Sequence, residues 1–120
     1  MKVLVTDDSA FMRAIIKAAI KEVDPNTEVL EAENGDVAVE LYREHNPEMV
    51  FLDIIMPVKN GIMAMEELRE LNSDLKIVIV TSVGQEDMIN KAKELGANGF
   101  IPKPFQPDQI KEIFNQLRNI

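Results

Sequence analysis

The sequence predicts an α/β domain built on a doubly wound, five-stranded parallel sheet with five helices. Three observations lead there. Five short apolar or β-branched runs recur along 120 residues, and a helical period fills each interval after a run. Two of the runs are almost continuously hydrophobic, as strands covered on both faces are. Units alternating in this way require right-handed crossovers, with helices on both faces of the sheet.

The first strand reads as 2–6 (KVLVT), and the helix after it carries Phe11, Ile15, Ala18 and Ala19 as an apolar stripe. The second strand is 28–32 (EVLEA), followed by a helix bearing Val37, Ala38, Leu41 and Tyr42. The third and fourth, 49–54 (MVFLDI) and 76–81 (KIVIVT), are the two continuous runs. Their helices show Ile62, Met65, Leu68 and Leu71, then Met88, Ile89, Ala92 and Leu95. The fifth strand is 98–101 (NGFI), and the last helix opens with Pro107 and Asp108 before Ile110, Ile113, Phe114 and Leu117. Gly35 and Gly61 follow asparagines at expected turns, and Gly96 stands where a helix C-terminal cap belongs.

Composition narrows the function. The chain is 46% hydrophobic and 28% charged, an ordinary globular balance for one domain spanning 1–120. No apolar stretch approaches the ~18 residues of a membrane span, and the first residues show no secretory h-region. The absence of cysteine excludes disulfides and thiolate metal sites, so a cytoplasmic location is expected. A net charge of −8 argues against a partner recognised through nucleic-acid phosphates. Residues 1–84 hold 16 acids and 8 bases, whereas 85–120 hold 5 of each, leaving the last third neutral and suited to docking a partner.

In a sheet of this kind, ligands bind beyond the carboxyl ends of the strands, where the strand order reverses. The chemistry at those ends is concentrated. The first strand ends in Asp7 and Asp8, the third in Asp53, the fourth in Thr81 and Ser82, and Lys103 follows the fifth. Each has a plain structural explanation alone: Asp8 or Ser9 can cap the next helix, Thr81 is an ordinary strand residue, and Lys103 an ordinary surface lysine. Asp53 resists such an explanation, because FLDII sets a carboxylate inside an apolar run and buried carboxylates need a partner. Unit charges ~4 Å apart repel by about 1 kcal/mol in water and by more where water is excluded. Three carboxylates held together therefore call for a cation, and an all-oxygen set with room for water and phosphate suits Mg²⁺. A carboxylate beside Mg²⁺, a lysine and a hydroxyl has what a phosphoryl acceptor needs.

These residues resemble the receiver domains of two-component signalling, and in particular the stand-alone CheY-type chemotaxis response regulators. The resemblance spans the chain, from TDDSAFMR through DIIMPVKNG and VTS to KPF. It implies a flavodoxin-like (CheY-like) fold with strand order 2-1-3-4-5. It also implies that Asp53 is phosphorylated, that Asp8 binds Mg²⁺ directly and Asp7 mostly through water, and that the Ile55 backbone carbonyl is a further ligand. Thr81 and Lys103 would contact the phosphoryl group, Phe100 would be the switching ring, and the Lys103–Pro104 peptide would be cis. The implied protein is a monomeric switch, not an enzyme on external substrates, although it catalyses its own phosphorylation and dephosphorylation. Its implied partners are a chemotaxis histidine kinase, a flagellar motor switch or adaptor protein, and a phosphatase; neither nucleic acid nor membrane is among them.

The sequence departs from the pattern it resembles in three places. Phe100 stands where many chemotaxis members carry tyrosine. Ile55 and Val83 lack the polar groups that in some fast-cycling members orient the hydrolytic water, so slow autodephosphorylation is expected. His45 is the only histidine, Arg13 is taken as solvated, and the seven methionines as packing. An FMN-binding flavodoxin needs a hydroxyl- and glycine-rich loop where TDDSAFM stands. A haloacid-dehalogenase-type phosphatase needs an acid at Ile55. Within the family, the receiver of a chemotaxis methylesterase and a phosphorelay intermediate are the alternatives, and the lack of an effector segment before Ile120 favours the free-standing switch.

Overall fold

A computed structural model describes residues 1–82, 84 and 86–120. Its strands are β1 (Lys2–Thr6), β2 (Glu28–Ala32), β3 (Met49–Leu52), β4 (Lys76–Ser82) and β5 (Gly99–Lys103). The helices are α1 (Ala10–Val23), α2 (Gly35–His45), α3 (Gly61–Leu71), α4 (Glu86–Glu94) and α5 (Pro107–Arg118). All strand pairs are parallel, in the order β2-β1-β3-β4-β5, as expected of a flavodoxin-like fold.

The two-residue period of a strand sorts side chains between two cores. Leu4, Val50, Leu52, Ile77 and Ile79 meet Ala38, Tyr42, Met65, Leu68 and Ala92 from α2, α3 and α4. Their neighbours Val3, Val5, Phe51, Val78 and Val80 face Ile16, Ile20, Ile110 and Phe114 from α1 and α5. The central strands β1, β3 and β4 are thus buried on both sides, which is why their sequences do not alternate.

Several local expectations shift. In α1 the core-facing residues are Ile16, Ala19 and Ile20 with Val23 alongside, while Phe11 is 73% exposed and Ala18 is exposed. Two helical phases overlap in AFMRAIIKAAIKEV, and the one carrying more bulk turns inward. Leu71 of α3 is likewise exposed, one turn beyond buried Leu68. Gly35 and Gly61 occupy the first positions of helices, not turns. Asn34 and Asn60 cap those helices, their side chains accepting from Val37 N and Met63 N at 3.0 Å. Gly96 does cap a helix, at φ +80°, a conformation that disfavours any side chain.

Strand ends shift too. β3 stops at Leu52, because after Asp53 the chain folds back and Ile55 N donates to Asp53 Oδ1 at 3.1 Å. β5 runs on to Lys103, with Pro102 tolerated on an edge strand. Asn98, just outside β5, extends the ladder: its N donates to Ile77 O and its Oδ1 accepts from Ile77 N, both at 2.8 Å. The Lys103–Pro104 peptide is cis. Among the described residues, no helix is long and apolar enough to cross a membrane.

Candidate functional site

The sheet reverses its winding between β1 and β3, and both strands deliver a carboxylate there. Asp7 N donates to Ala32 O at 3.1 Å and Asp53 N to Thr6 O at 3.0 Å, so each residue sits one step past its strand, still held by the ladder. Asp7 is 1% and Asp53 5% exposed, while Asp8 faces solvent. One carboxylate oxygen from each of the three lies within 4.8 Å of the others. On the next strand, Leu52 is level with Ile79, so Thr81 stands two residues beyond that rung and Asp53 one. Ser82 is level with Lys103.

Lys103 offsets part of the negative charge in the pocket. Its Nζ lies 2.7 Å from Asp7 Oδ2 and 3.1 Å from Asp53 Oδ2. The remaining oxygens of these two carboxylates accept backbone donors, Ser9 N on Asp7 Oδ1 at 2.9 Å and Ile55 N on Asp53 Oδ1 at 3.1 Å. Burial pushes the Asp53 carboxyl above its ordinary pKa; Lys103 opposes this, the Asp7 charge reinforces it, and the rise wins. For Lys103, burial works against the ammonium but is outweighed by its hydrogen bond to Asp7 and the charges of Asp53 and Asp7, so its pKa rises.

Among the described residues the buried Thr81 hydroxyl has no hydrogen-bond partner. Beside Thr81 lies a cavity of about 310 Å³, lined chiefly by Ile79, Ile89, Phe100 and Ile101. The Phe100 ring is half-buried at its edge, with Lys93 Nζ 5.6 Å from the ring centroid. Phe100 therefore has adjacent free volume on the Thr81 side.

Two supporting residues had a different reading in sequence. Arg13 is not a solvated side chain: its Nη1 donates to the Asp7 carbonyl at 2.6 Å and its Nε to Glu31 Oε1 at 3.1 Å. It thereby pins the turn that carries Asp7 and Asp8, and its place one turn into α1 was the available signal. Gly61 matters for a reason its turn-like setting conceals. A Cβ there would lie 2.2 Å from the Asp53 carbonyl oxygen, so α3 can seat against the loop carrying Asp53 only with glycine at this position. Val83 lies outside the described residues. Ile55 is exposed at the rim.

The oxygen-only donor set, its crowding and its opening to solvent at Asp8 fit a hard divalent cation such as Mg²⁺. Residues 3–115 match the sequence profile of the response regulator receiver domain. The chain belongs to this receiver family. Within the family its likeness is to chemotaxis regulators. It is 42% identical over 119 residues to chemotaxis protein CheY of Bacillus subtilis, covering 98% of both chains. It is 42% identical over 117 residues to chemotaxis protein CheY of Thermotoga maritima, covering 97% of this chain and 96% of that one. Among solved structures, the receiver domain of the response regulator AraT from Geobacillus stearothermophilus superposes with a TM-score of 0.89 at 29% identity, covering 98% of this chain and 92% of that one. The protein is thus a CheY-type receiver of two-component chemotaxis signalling.

Proposed function

We propose that this chain, as a single receiver domain over 1–120, is a switch turned on by phosphorylation of Asp53. The observation that carries the reading is the setting of that carboxylate, buried at the reversal point with Lys103 Nζ 3.1 Å away and the Asp7 and Asp8 carboxylates beside it. Asp7, Asp8, Asp53 and the Ile55 carbonyl are the groups that would hold Mg²⁺. When bound, the ion neutralises crowded carboxylates and stabilises charge on the transferred oxygens.

The Asp53 carboxylate attacks the phosphorus of a phosphohistidine on a chemotaxis histidine kinase, in line with the leaving nitrogen. The new O–P bond forms as the P–N bond breaks, and the bonding electrons leave with the imidazole. Lys103, already shared between Asp7 and Asp53, balances the added charge as one carboxylate negative charge becomes an acyl phosphate of nearly −2. Thr81 donates its buried hydroxyl to a phosphoryl oxygen, and the movement frees space into which Phe100 turns from the cavity edge. The surface of α4, β5 and α5 then favours an output partner, a flagellar motor switch or its adaptor. With an apolar Ile55 beside the acceptor, hydrolysis is slow and a phosphatase partner resets the switch.

Phosphotransfer from the phosphorylated kinase to wild type and to Asp53→Asn tests the reading. The variant is expected to take up no label; undiminished labelling at another residue overturns the assignment. Ile55→Asn with Val83→Glu should speed decay of the phosphorylated form, and unchanged decay contradicts the slow-hydrolysis part.

A further inference from the structure

We propose that Lys59 is a positioning residue for the acidic site: it fastens the loop between β3 and α3 to α2 and α3. The loop's Asp53 carboxylate and Ile55 carbonyl are thereby held in place opposite Asp7 and Asp8. The inference rests on the reading of those groups as the Mg²⁺ site.

The loop is tied at its two ends, by Ile55 N on Asp53 Oδ1 at 3.1 Å and by Gly61 N on Ile54 O at 2.8 Å. Between these ties Met56 is buried, but Pro57 and Val58 are exposed and offer little restraint. Lys59 is the one charged residue in IIMPVKN, and it is anchored three ways. Its carbonyl accepts from Gly35 N at 3.1 Å, satisfying one of the amides that the start of α2 leaves without an intrahelical partner. Its ammonium lies 3.0 Å from Asp36 Oδ1 in the first turn of α2, and pairs closely with Glu67 of α3.

The stem is seated as closely as the head. A Cβ on Gly35 would lie 2.6 Å from Lys59 O, 2.7 Å from its Cγ and 2.8 Å from its Cβ, so α2 presents bare backbone to this side chain. The Lys59 side chain is only 18% exposed. Isolated surface ion pairs add little to global stability, because they compete with water and cost side-chain entropy. A clamp of this kind acts locally instead, by limiting the freedom of a loop whose first residues carry ligands. Groups that orient metal ligands commonly change metal affinity by about 10–100-fold. Lys59 acts one step further out, through the loop backbone, so a smaller factor of about three to ten is expected.

The test is titration of the full chain with magnesium chloride, followed by calorimetry, for wild type, Lys59→Met, Lys59→Arg and Asp8→Asn. Exchange of the Gly35 amide and the urea midpoint are measured on the same samples. Lys59→Met should weaken Mg²⁺ binding about three- to tenfold and speed Gly35 exchange, with the urea midpoint nearly unmoved; Lys59→Arg should recover most of the affinity. Asp36→Asn and Glu67→Gln, which leave Lys59 in place, should each give a smaller change in the same direction. If Asp8→Asn weakens binding while Lys59→Met matches wild type, the clamp is refuted and the metal site stands. A Lys59→Met affinity loss matched by an equal loss of global stability also refutes the clamp, since it then acts only as a structural contact. If Asp8→Asn binds as wild type does, the reading of the site itself fails.

Discussion

Replacing Thr81 by valine separates the two states of the proposed switch in a single experiment. Thr81 is 3% exposed in β4, and among the described residues its hydroxyl is buried without a partner, as are those of Thr6 and Thr27. Burying a hydroxyl unpaired costs roughly 1–3 kcal/mol in proteins. Valine keeps the shape, suits a strand, and removes the polar atom. Thr81→Val should therefore stabilise the metal-free protein by about 1–2 kcal/mol, at the lower end because local adjustment recovers part of the cost. For a domain of this length that is a rise of roughly 3–8 °C in Tm.

In the activated state the order reverses. A hydroxyl donating to a phosphoryl-like anion makes a charge-assisted hydrogen bond, worth about 1.5–3 kcal/mol. Beryllofluoride with Mg²⁺ should thus raise the urea midpoint of wild type more than that of Thr81→Val. Thr27→Val, just before β2, is the control: it should gain stability similarly and respond to beryllofluoride as wild type does. The assay is urea unfolding at constant m value, with and without the ligand. If Thr81→Val is destabilised by 1 kcal/mol or more while metal-free, the hydroxyl already has a partner and the reasoning is wrong. Equal gains from beryllofluoride in both proteins would refute the proposed contact with the phosphoryl group.

Two further predictions follow from the same geometry. Gly61→Ala places a methyl 2.2 Å from the Asp53 carbonyl oxygen, so backbone must move; the urea midpoint should fall by the equivalent of roughly 1–3 kcal/mol, and phosphorylation should slow more than the stability loss explains. Asp53→Asn should raise the metal-free urea midpoint at neutral pH, because the buried carboxyl has a raised pKa in the folded state. The sign is that of a raised acid: its contribution to stability is fully present below the ordinary carboxyl pKa of 3.8 and is lost as pH rises through the higher folded value. The advantage of asparagine should accordingly shrink as pH is lowered through that value; a gap that widens in acid would contradict it.

Much of the site was legible because its chemistry conflicts with its setting. A carboxylate inside FLDII and two more closing VLVTDD are conspicuous at the ends of apolar strands, and the parallel topology brings those ends together. The two-faced core was legible for the same reason, since MVFL and KIVIV lack any polar face. What escaped depends on contacts remote in sequence or on phase. Two apolar stripes compete in α1, and only packing against β1 and α5 selects Ile16 and Ile20 over Phe11. Asn-Gly pairs signal turns and helix starts alike, so the contact of Gly61 with the Asp53 carbonyl was hidden. Arg13 and Glu31, or Lys59 and Asp36, meet across elements, which no local pattern records.

Chemical trapping tests whether Asp53 is the phosphoryl acceptor, as proposed. The chain is incubated with a small phosphoryl donor and Mg²⁺, reduced with borohydride, and mapped by peptide mass spectrometry. An aspartyl phosphate is reduced to homoserine, whereas a free carboxylate is untouched. Homoserine is expected at position 53, dependent on both donor and Mg²⁺. Reduction at another aspartate, or aspartate intact at 53 in protein that has taken up phosphate, would contradict it.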